Sequence, residues 1–161
     1  MKIRECLITD LKEIAEIYNN EVEIGTATFE TKVVSNDKWN EWFYNHKDKN
    51  FILIAESCGK CIGWISLSKW IEKSSCENMK ELSLYINSDF RGRGIGTLLM
   101  KECIKKAKIL GIENIVSLIT DGNENSIQLH KKFDFEFCVV IKKASNKFNK
   151  SLNLLIMQKI I

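Results

Sequence analysis

A chain of 161 residues, 45% hydrophobic and 28% charged, has the composition of an ordinary globular domain, and its length suits one domain over residues 1–161 with a substantial core. A formal net charge of +3 is too small to mark a nucleic-acid or membrane partner. The first ten residues lack the apolar stretch of a secretion signal and no apolar run reaches about 18 residues, so a cytoplasmic protein without a membrane span is expected.

In chain order, residues 2–8 predict a strand. Asp10 followed by Glu13 gives a capping-box-like helix start, and Leu11, Ile14, Ala15, Ile17, Tyr18 and Val22 mark one apolar face of a first helix that ends near Gly25. Residues 26–31 read as a loop. Residues 35–45 form a second helix, with Trp39, Trp42 and Phe43 assigned to the core. Residues 51–56 and 62–68 are strand-like runs joined at Cys58-Gly-Lys-Cys61, which predicts an antiparallel hairpin. Residues 70–80 are polar and read as a loop. Residues 82–86 alternate, with Leu82, Leu84 and Ile86 on one face, and predict a half-buried strand. A helix over 97–110 stops at Gly111, a residue free to take positive φ. Residues 115–119 are a buried strand, 123–133 a helix, and 135–141 and 152–157 two last strands joined by the polar segment 142–150. The order β-α-α-β-β-β-α-β-α-β-β follows from periodicity, an α/β arrangement.

The six cysteines are scattered, mostly among apolar neighbours, and are expected as buried reduced thiols. Cys58 and Cys61 have zinc-like spacing, but no second Cys/His pair completes four ligands, so no metal is expected.

The chemistry concentrates after residue 81. Gly92, Gly94 and Gly96 let the backbone turn tightly and aim amides into one concavity at the start of a helix. Two of the three arginines, Arg91 and Arg93, lie in this loop, and the guanidinium fork suits phosphate. The glycine spacing satisfies neither the dinucleotide fingerprint nor the Walker pattern. A single Arg-Gly repeat in a strand-to-helix connection is not an RNA-binding surface.

Arg91-x-x-Gly94-x-Gly96 resembles the pyrophosphate loop of the GCN5-related N-acetyltransferase (GNAT) superfamily. Glu81-Leu-Ser-Leu-Tyr-Ile86 and Asn123-x-x-Ser126-x-x-Leu129-His130 resemble the central strand and a later helix of its phosphinothricin acetyltransferase subfamily. Tyr18-Asn-x-Glu21-Val, Thr26-Ala-Thr-Phe29-Glu30 and Trp70, eleven residues before Glu81, match that subfamily's first helix, substrate loop and tryptophan, so the likeness spans the chain.

The resemblance implies a GNAT fold: a mixed, mostly antiparallel sheet of about seven strands flanked by about four helices, with acetyl-CoA between the splayed strands 82–86 and 115–119. It implies that Leu84, Tyr85 and Ile86 offer main-chain groups to the pantetheine arm and thioester. Gly92, Gly94, Ile95, Gly96 and Thr97 would hold the pyrophosphate with Arg91 and Arg93 close by, and Asn123 and Ser126 would line the pantetheine side. Glu81 would be the general base and His130 its partner or the acid for the departing thiol. Phe29, Trp70 and Lys73 would contact the acceptor, a small-molecule amine of amino-acid type, and a homodimer is implied. Protein or peptide acetylation and non-catalytic acyl-CoA sensing are the alternatives.

Several positions depart from the subfamily pattern. Lys73 and Cys76 stand where arginine and tyrosine are usual, Ser151 and Asn153 where tryptophan and aspartate are, and Asp134 where glycine follows the histidine helix. These changes bear on the acceptor rather than on the donor.

Overall fold

The computed structural model describes residues 1–161. The strands are β1 (Lys2–Glu5), β2 (Phe51–Ser57), β3 (Lys60–Lys69), β4 (Met79–Ile86), β5 (Asn114–Thr120), β6 (Glu136–Lys147) and β7 (Lys150–Ile160), and the helices are α1 (Leu11–Ile24), α2 (Asn36–Tyr44), α3 (Ile95–Ile109) and α4 (Glu124–Lys132). The expected element order holds throughout. The strands make one sheet in the order β1-β2-β3-β4-β5-β7-β6, antiparallel except for the β4–β5 pair.

Helices cover both faces of the sheet. On one face α3 sets Ile95, Leu99, Met100, Cys103 and Ala107 against Leu53, Ile65, Leu67 and Leu82. On the other, Ile14 and Ile17 of α1 and Trp39 of α2 pack on Ile52, Ile54 and Trp64. This explains why β2 reads as an unbroken apolar run: alternate residues feed two separate cores. Each fully buried Leu or Ile contributes about 1.5–3 kcal/mol. The β2–β3 hairpin turns at Cys58 and Gly59, both at positive φ, as the type I′ geometry of a two-residue turn demands. Gly111 and Asp134 also take positive φ, at +67° and +60°.

Three local expectations need correction. The first strand stops at Glu5, and residues 8–10 form a short 3-10 turn. The cause is Asp10, which accepts the Leu7 amide at 2.7 Å and is gripped by both terminal nitrogens of Arg4 at 2.7 and 2.9 Å. No capping box forms at α1, because the Glu13 carboxylate instead accepts the Cys61 amide at 2.5 Å. The polar segment 142–150 is mostly strand: β6 runs to Lys147 with an irregularity between Ile141 and Ser145, and Phe148 and Asn149 make the turn. As an edge strand with both faces largely exposed, β6 needs no apolar alternation.

The cysteines also differ from expectation. Only Cys61 and Cys103 are buried, while Cys58 and Cys138 are exposed. Burial pushes the Cys61 thiol up to about 12, so it stays protonated and unreactive.

The Arg4–Asp10 pair yields a stability prediction. Arg4 holds the Asp10 carboxyl below the usual range against the opposing effect of burial. A depressed folded pKa gives stability that is present above the unfolded value near ~4 and lost as pH falls through the folded one. Asp10→Asn should cost about 1 kcal/mol at pH 7, a value reduced by solvent around the pair. The difference from the parent protein should vanish in acid. Urea unfolding at pH 7 and at about pH 2, well below the ordinary carboxylate range, checks it; an equal loss at both would exclude the ion pair as its source.

Candidate active site

The β4–β5 pairing runs from Met79–Asn114 to Leu82–Ser117 and then stops, although β5 continues against β7 to Thr120. Beyond Leu82 and Ser117 the strands part, leaving the β5-facing backbone groups of residues 83–86 without a strand partner. Two adjacent cavities, with five lining residues in common, lie at this fork.

The outer one, about 620 Å³, lies between the β4–α3 connection and the start of α4. Gly92 and Gly94 take φ of +74° and +78°, and Gly94 immediately precedes α3. The amides of the first turn of α3 have no partner within the helix and are available to an anion. A Cβ on Gly96 would meet a Leu129 methyl at 3.0 Å, so that glycine permits the close approach of α3 and α4. Arg91 is held by two contacts, Nε donating to the Ile86 carbonyl at 3.2 Å and Nη2 to Glu21 Oε2 at 3.1 Å. Arg93 turns away, donating to the Asp89 carbonyl at 2.9 Å and lying over the Phe90 ring. Bare amides at a helix start, one oriented guanidinium and glycines that keep Cβ atoms out of the way fit a pyrophosphate.

A conformational prediction follows for the loop. A Cβ on Gly94 would touch nothing within 4 Å, so Gly94→Ala acts through φ alone. A left-handed conformation costs an alanine about 1–2 kcal/mol. Affinity for the pyrophosphate-bearing donor that the resemblance implies should fall roughly 5–10-fold with little effect on the rest of the fold; titration of the variant and the parent with acetyl-CoA would show it.

The inner cavity, about 270 Å³, is lined by Phe29, Glu81, Ser83, Tyr85, Ser117 and His130 among others, and shares Ala27, Leu84, Tyr85, Asn123 and Ser126 with the outer one. Glu81 is half-buried, and burial alone pushes its carboxyl up from the ordinary range. A carboxylate so placed is a better proton acceptor than one in water.

His130 is 2% exposed. Its Nδ1 lies 2.7 Å from the Ser126 carbonyl, and its Nε2 2.8 Å from Ser117 Oγ. Burial lowers its pKa below the ordinary value, partly offset by the Ser126 contact. The Phe135 ring closes one side in an edge-on contact at 4.8 Å.

The loop 25–31 roofs the inner cavity and is tied down from several directions. The Tyr18 hydroxyl lies 2.7 Å from Thr28 Oγ1, and the Tyr85 hydroxyl donates to the Ala27 carbonyl at 3.3 Å. Glu21 accepts the Ala27 amide at 3.0 Å. Lys147, 3% exposed at the tip of the β6–β7 hairpin, donates to the carbonyls of Glu21 and Thr28 at 3.2 and 3.1 Å.

The fold thus brings Phe29, Glu81, Leu84, Tyr85, Asn123, Ser126 and His130 around the inner cavity, and Ile86, Arg91, Gly92, Gly94, Ile95, Gly96 and Thr97 around the outer one. Arg93 and Trp70 line neither, and Lys73 lines a separate polar hollow with His46 and Lys80. The sequence assigns no role to three residues that the site uses, although Glu21 is part of the first-helix match. Glu21 had a signal, a carboxylate on the apolar stripe of α1. Ser117 had another, a single hydroxyl within the run 115–119. Lys147 had none, since its partners lie more than a hundred residues away.

Comparison with known proteins agrees with this geometry. The sequence pattern of the acetyltransferase (GNAT) family matches residues 11–135. An L-methionine sulfoximine/L-methionine sulfone acetyltransferase of Pseudomonas aeruginosa is 31% identical over 158 residues, covering 97% of this chain and 92% of its own. Among solved structures, a ribosomal-protein-alanine N-acetyltransferase from Brucella melitensis superposes with a TM-score of 0.95 at 33% identity over 100% of both chains. A phosphinothricin acetyltransferase from Sinorhizobium meliloti in complex with acetyl-CoA superposes with a TM-score of 0.95 at 26% identity over 99% of this chain and 88% of its own. The amide-lined groove, the forked strands and these likenesses converge: the chain belongs to the GNAT acetyltransferase family and is an N-acetyltransferase with acetyl-CoA as its donor.

Proposed function

We propose that this enzyme acetylates the α-amino group of a single amino acid or amino-acid analogue, with Glu81 as general base. The observation that carries this reading is the inner cavity: at about 270 Å³, roofed by a loop anchored at Ala27 and Thr28, it has room for one small molecule and no groove for a polypeptide. The Pseudomonas relative, named for methionine sulfoximine and sulfone, supports the same acceptor class. Peptide acetylation, suggested by the name of the Brucella neighbour, would require that roof to open.

An alkyl ammonium with pKa near ~10 must lose a proton before its nitrogen can attack a thioester. Glu81, raised in basicity by burial and lining the inner cavity, supplies the acceptor for that proton. The groove residues Arg91, Gly92, Gly94, Ile95, Gly96 and Thr97 hold the donor's pyrophosphate, so the acetyl group is delivered through the region both cavities share. Phe29 packs beside the acceptor. The same reading takes residues 1–161 as one domain, cytoplasmic and homodimeric. The exposed Phe137, Val139 and Ile141 of β6 support the dimer, and sedimentation of the purified chain tests it.

The test of function is release of CoA thiol from acetyl-CoA across free amino acids, methionine sulfone, methionine sulfoximine, phosphinothricin, polyamines and short peptides, against a blank without acceptor. Turnover is expected with amino-acid-type acceptors and not with peptides. Turnover confined to peptides would overturn the reading.

A further inference from the structure

We infer that Ser117 is a catalytic residue, carrying the second proton of the acceptor nitrogen to His130 and back to the departing sulfur. The inference rests on the proposed reaction at the inner cavity and deepens it, because Glu81 accounts for only one of the two protons that an ammonium must lose to become an amide.

The geometry assigns the donors and acceptors around His130. A carbonyl oxygen can only accept, so the 2.7 Å contact with the Ser126 carbonyl places the ring proton on Nδ1. In the neutral ring Nε2 then carries a lone pair, and the 2.8 Å contact is the Ser117 hydroxyl donating to it. The Ser117 oxygen keeps its own lone pairs. Ser117 lies in the last paired register of β4 and β5, where the strands fork, and it lines the acceptor cavity together with Glu81, Ser83 and Leu84. The two side chains are almost fully buried, 1% and 2% exposed, and satisfy each other, and the serine lines the cavity in which the proposed reaction takes place.

Glu81 takes one proton from the acceptor ammonium, and the neutral amine attacks the thioester carbon, forming the C–N bond while the carbonyl electron pair moves onto oxygen. The nitrogen of this adduct is cationic and still carries one proton too many. That proton passes to Ser117 Oγ as the serine's own proton moves to His130 Nε2, giving an imidazolium whose Nδ1–H stays on the Ser126 carbonyl. The oxygen pair re-forms the carbonyl, and the C–S bond breaks with its electrons going to sulfur. His130 returns its proton through Ser117 to the sulfur, leaving amide, CoA thiol and a neutral ring. Glu81 afterwards loses its proton to water. No charged side chain pairs with the ring: its neighbours are Ser117, Ser126 and Phe135. The imidazolium is therefore short-lived, which favours the return step.

Two measurements test the inference. The first uses the free protein: ¹⁵N NMR of labelled histidine should show His130 neutral at pH 7 with the proton on Nδ1, and a proton on Nε2 would overturn the relay. The second compares Ser117→Ala and Ser117→Thr with the parent, using acetyl-CoA and whichever small acceptor the parent turns over best. Ser117→Ala should lower kcat about 30-fold, within the lower range of general acid–base effects when water substitutes poorly, with both KM values within about twofold. Ser117→Thr should recover activity to within about fivefold of the parent. A loss under about threefold in Ser117→Ala, a loss residing in KM, or a threonine variant as slow as the alanine one would overturn it. If the parent acetylates no small acceptor, the proposed function fails, whereas the NMR result still decides the state of the ring.

Discussion

Replacing Glu81 by glutamine is expected to lower kcat at pH 7 by about 100-fold or more, the usual scale for losing a positioned general base. The KM for acetyl-CoA should change little, because Glu81 lies on the inner cavity and not among the residues of the outer groove. The pH profile carries a second signature. Burial raises the Glu81 pKa, and only the carboxylate accepts a proton, so activity of the parent should fall as pH drops through that raised value. The glutamine variant should lack this limb. Stability should move in the opposite sense. A carboxyl whose folded pKa is raised disfavours the folded state once it ionises, so Glu81→Gln should be slightly the more stable protein above that pKa and no different well below the ordinary carboxylate range. A kcat within a few-fold of the parent would remove Glu81 from the role of base.

The second large effect is expected from a glycine outside both cavities. Gly25 has an ordinary extended backbone, with φ −109° and ψ 175°, so its substitution meets no conformational barrier. The barrier is steric: a Cβ there would stand 1.7 Å from Glu21 Oε1. That carboxylate cannot swing aside freely, since one oxygen accepts the Ala27 amide and the other pairs with Arg91. Gly25→Ala should therefore free the acceptor roof and the phosphate-side arginine together. The KM for the acceptor is expected to rise about tenfold and that for acetyl-CoA several-fold. Losing these part-buried charge-assisted bonds should cost about 1–2 kcal/mol, a drop of roughly 2–8 °C in Tm for a chain of this size. A rise in only one of the two KM values would mean that Glu21 does not join the two loops.

The parts of this protein that were legible in its sequence are those determined by neighbours in the chain. The helical period of Leu11, Ile14, Ala15, Ile17 and Val22, the alternation from Leu82 to Ile86 and the glycine turn at Gly59 each dictate a local form that tertiary packing then keeps. The glycine loop and the Asn123–His130 spacing likewise lie within single connections or helices, so a family resemblance could be read from them directly. Reading failed where the deciding partner is distant. Asp10 and Glu13 have the spacing of a cap, but Arg4 and the Cys61 amide compete for them and win. Residues 142–147 are polar enough for a loop, yet pairing with β7 makes them strand, and the sheet edge imposes no apolar pattern to reveal it. The motif spacing singles out Arg91, but nothing local shows that Arg93 leaves the groove; its fold onto Phe90 and the Glu21 pairing of Arg91, seventy residues apart, appear only in the folded chain.

The tether from Lys147 to the loop at Thr28 joins positions 119 residues apart. During synthesis the first two helices and the β2–β3 hairpin can collapse early on local contacts, but the roof over the acceptor has no lysine to hold it until the β6–β7 hairpin has emerged and docked. Contacts of such long sequence separation are the slow ones in folding. The complete roof is thus expected to form only once the last hairpin has docked, and a chain in which that hairpin is undone is expected to keep the Tyr18, Glu21 and Tyr85 contacts of the loop while losing the lysine that closes it.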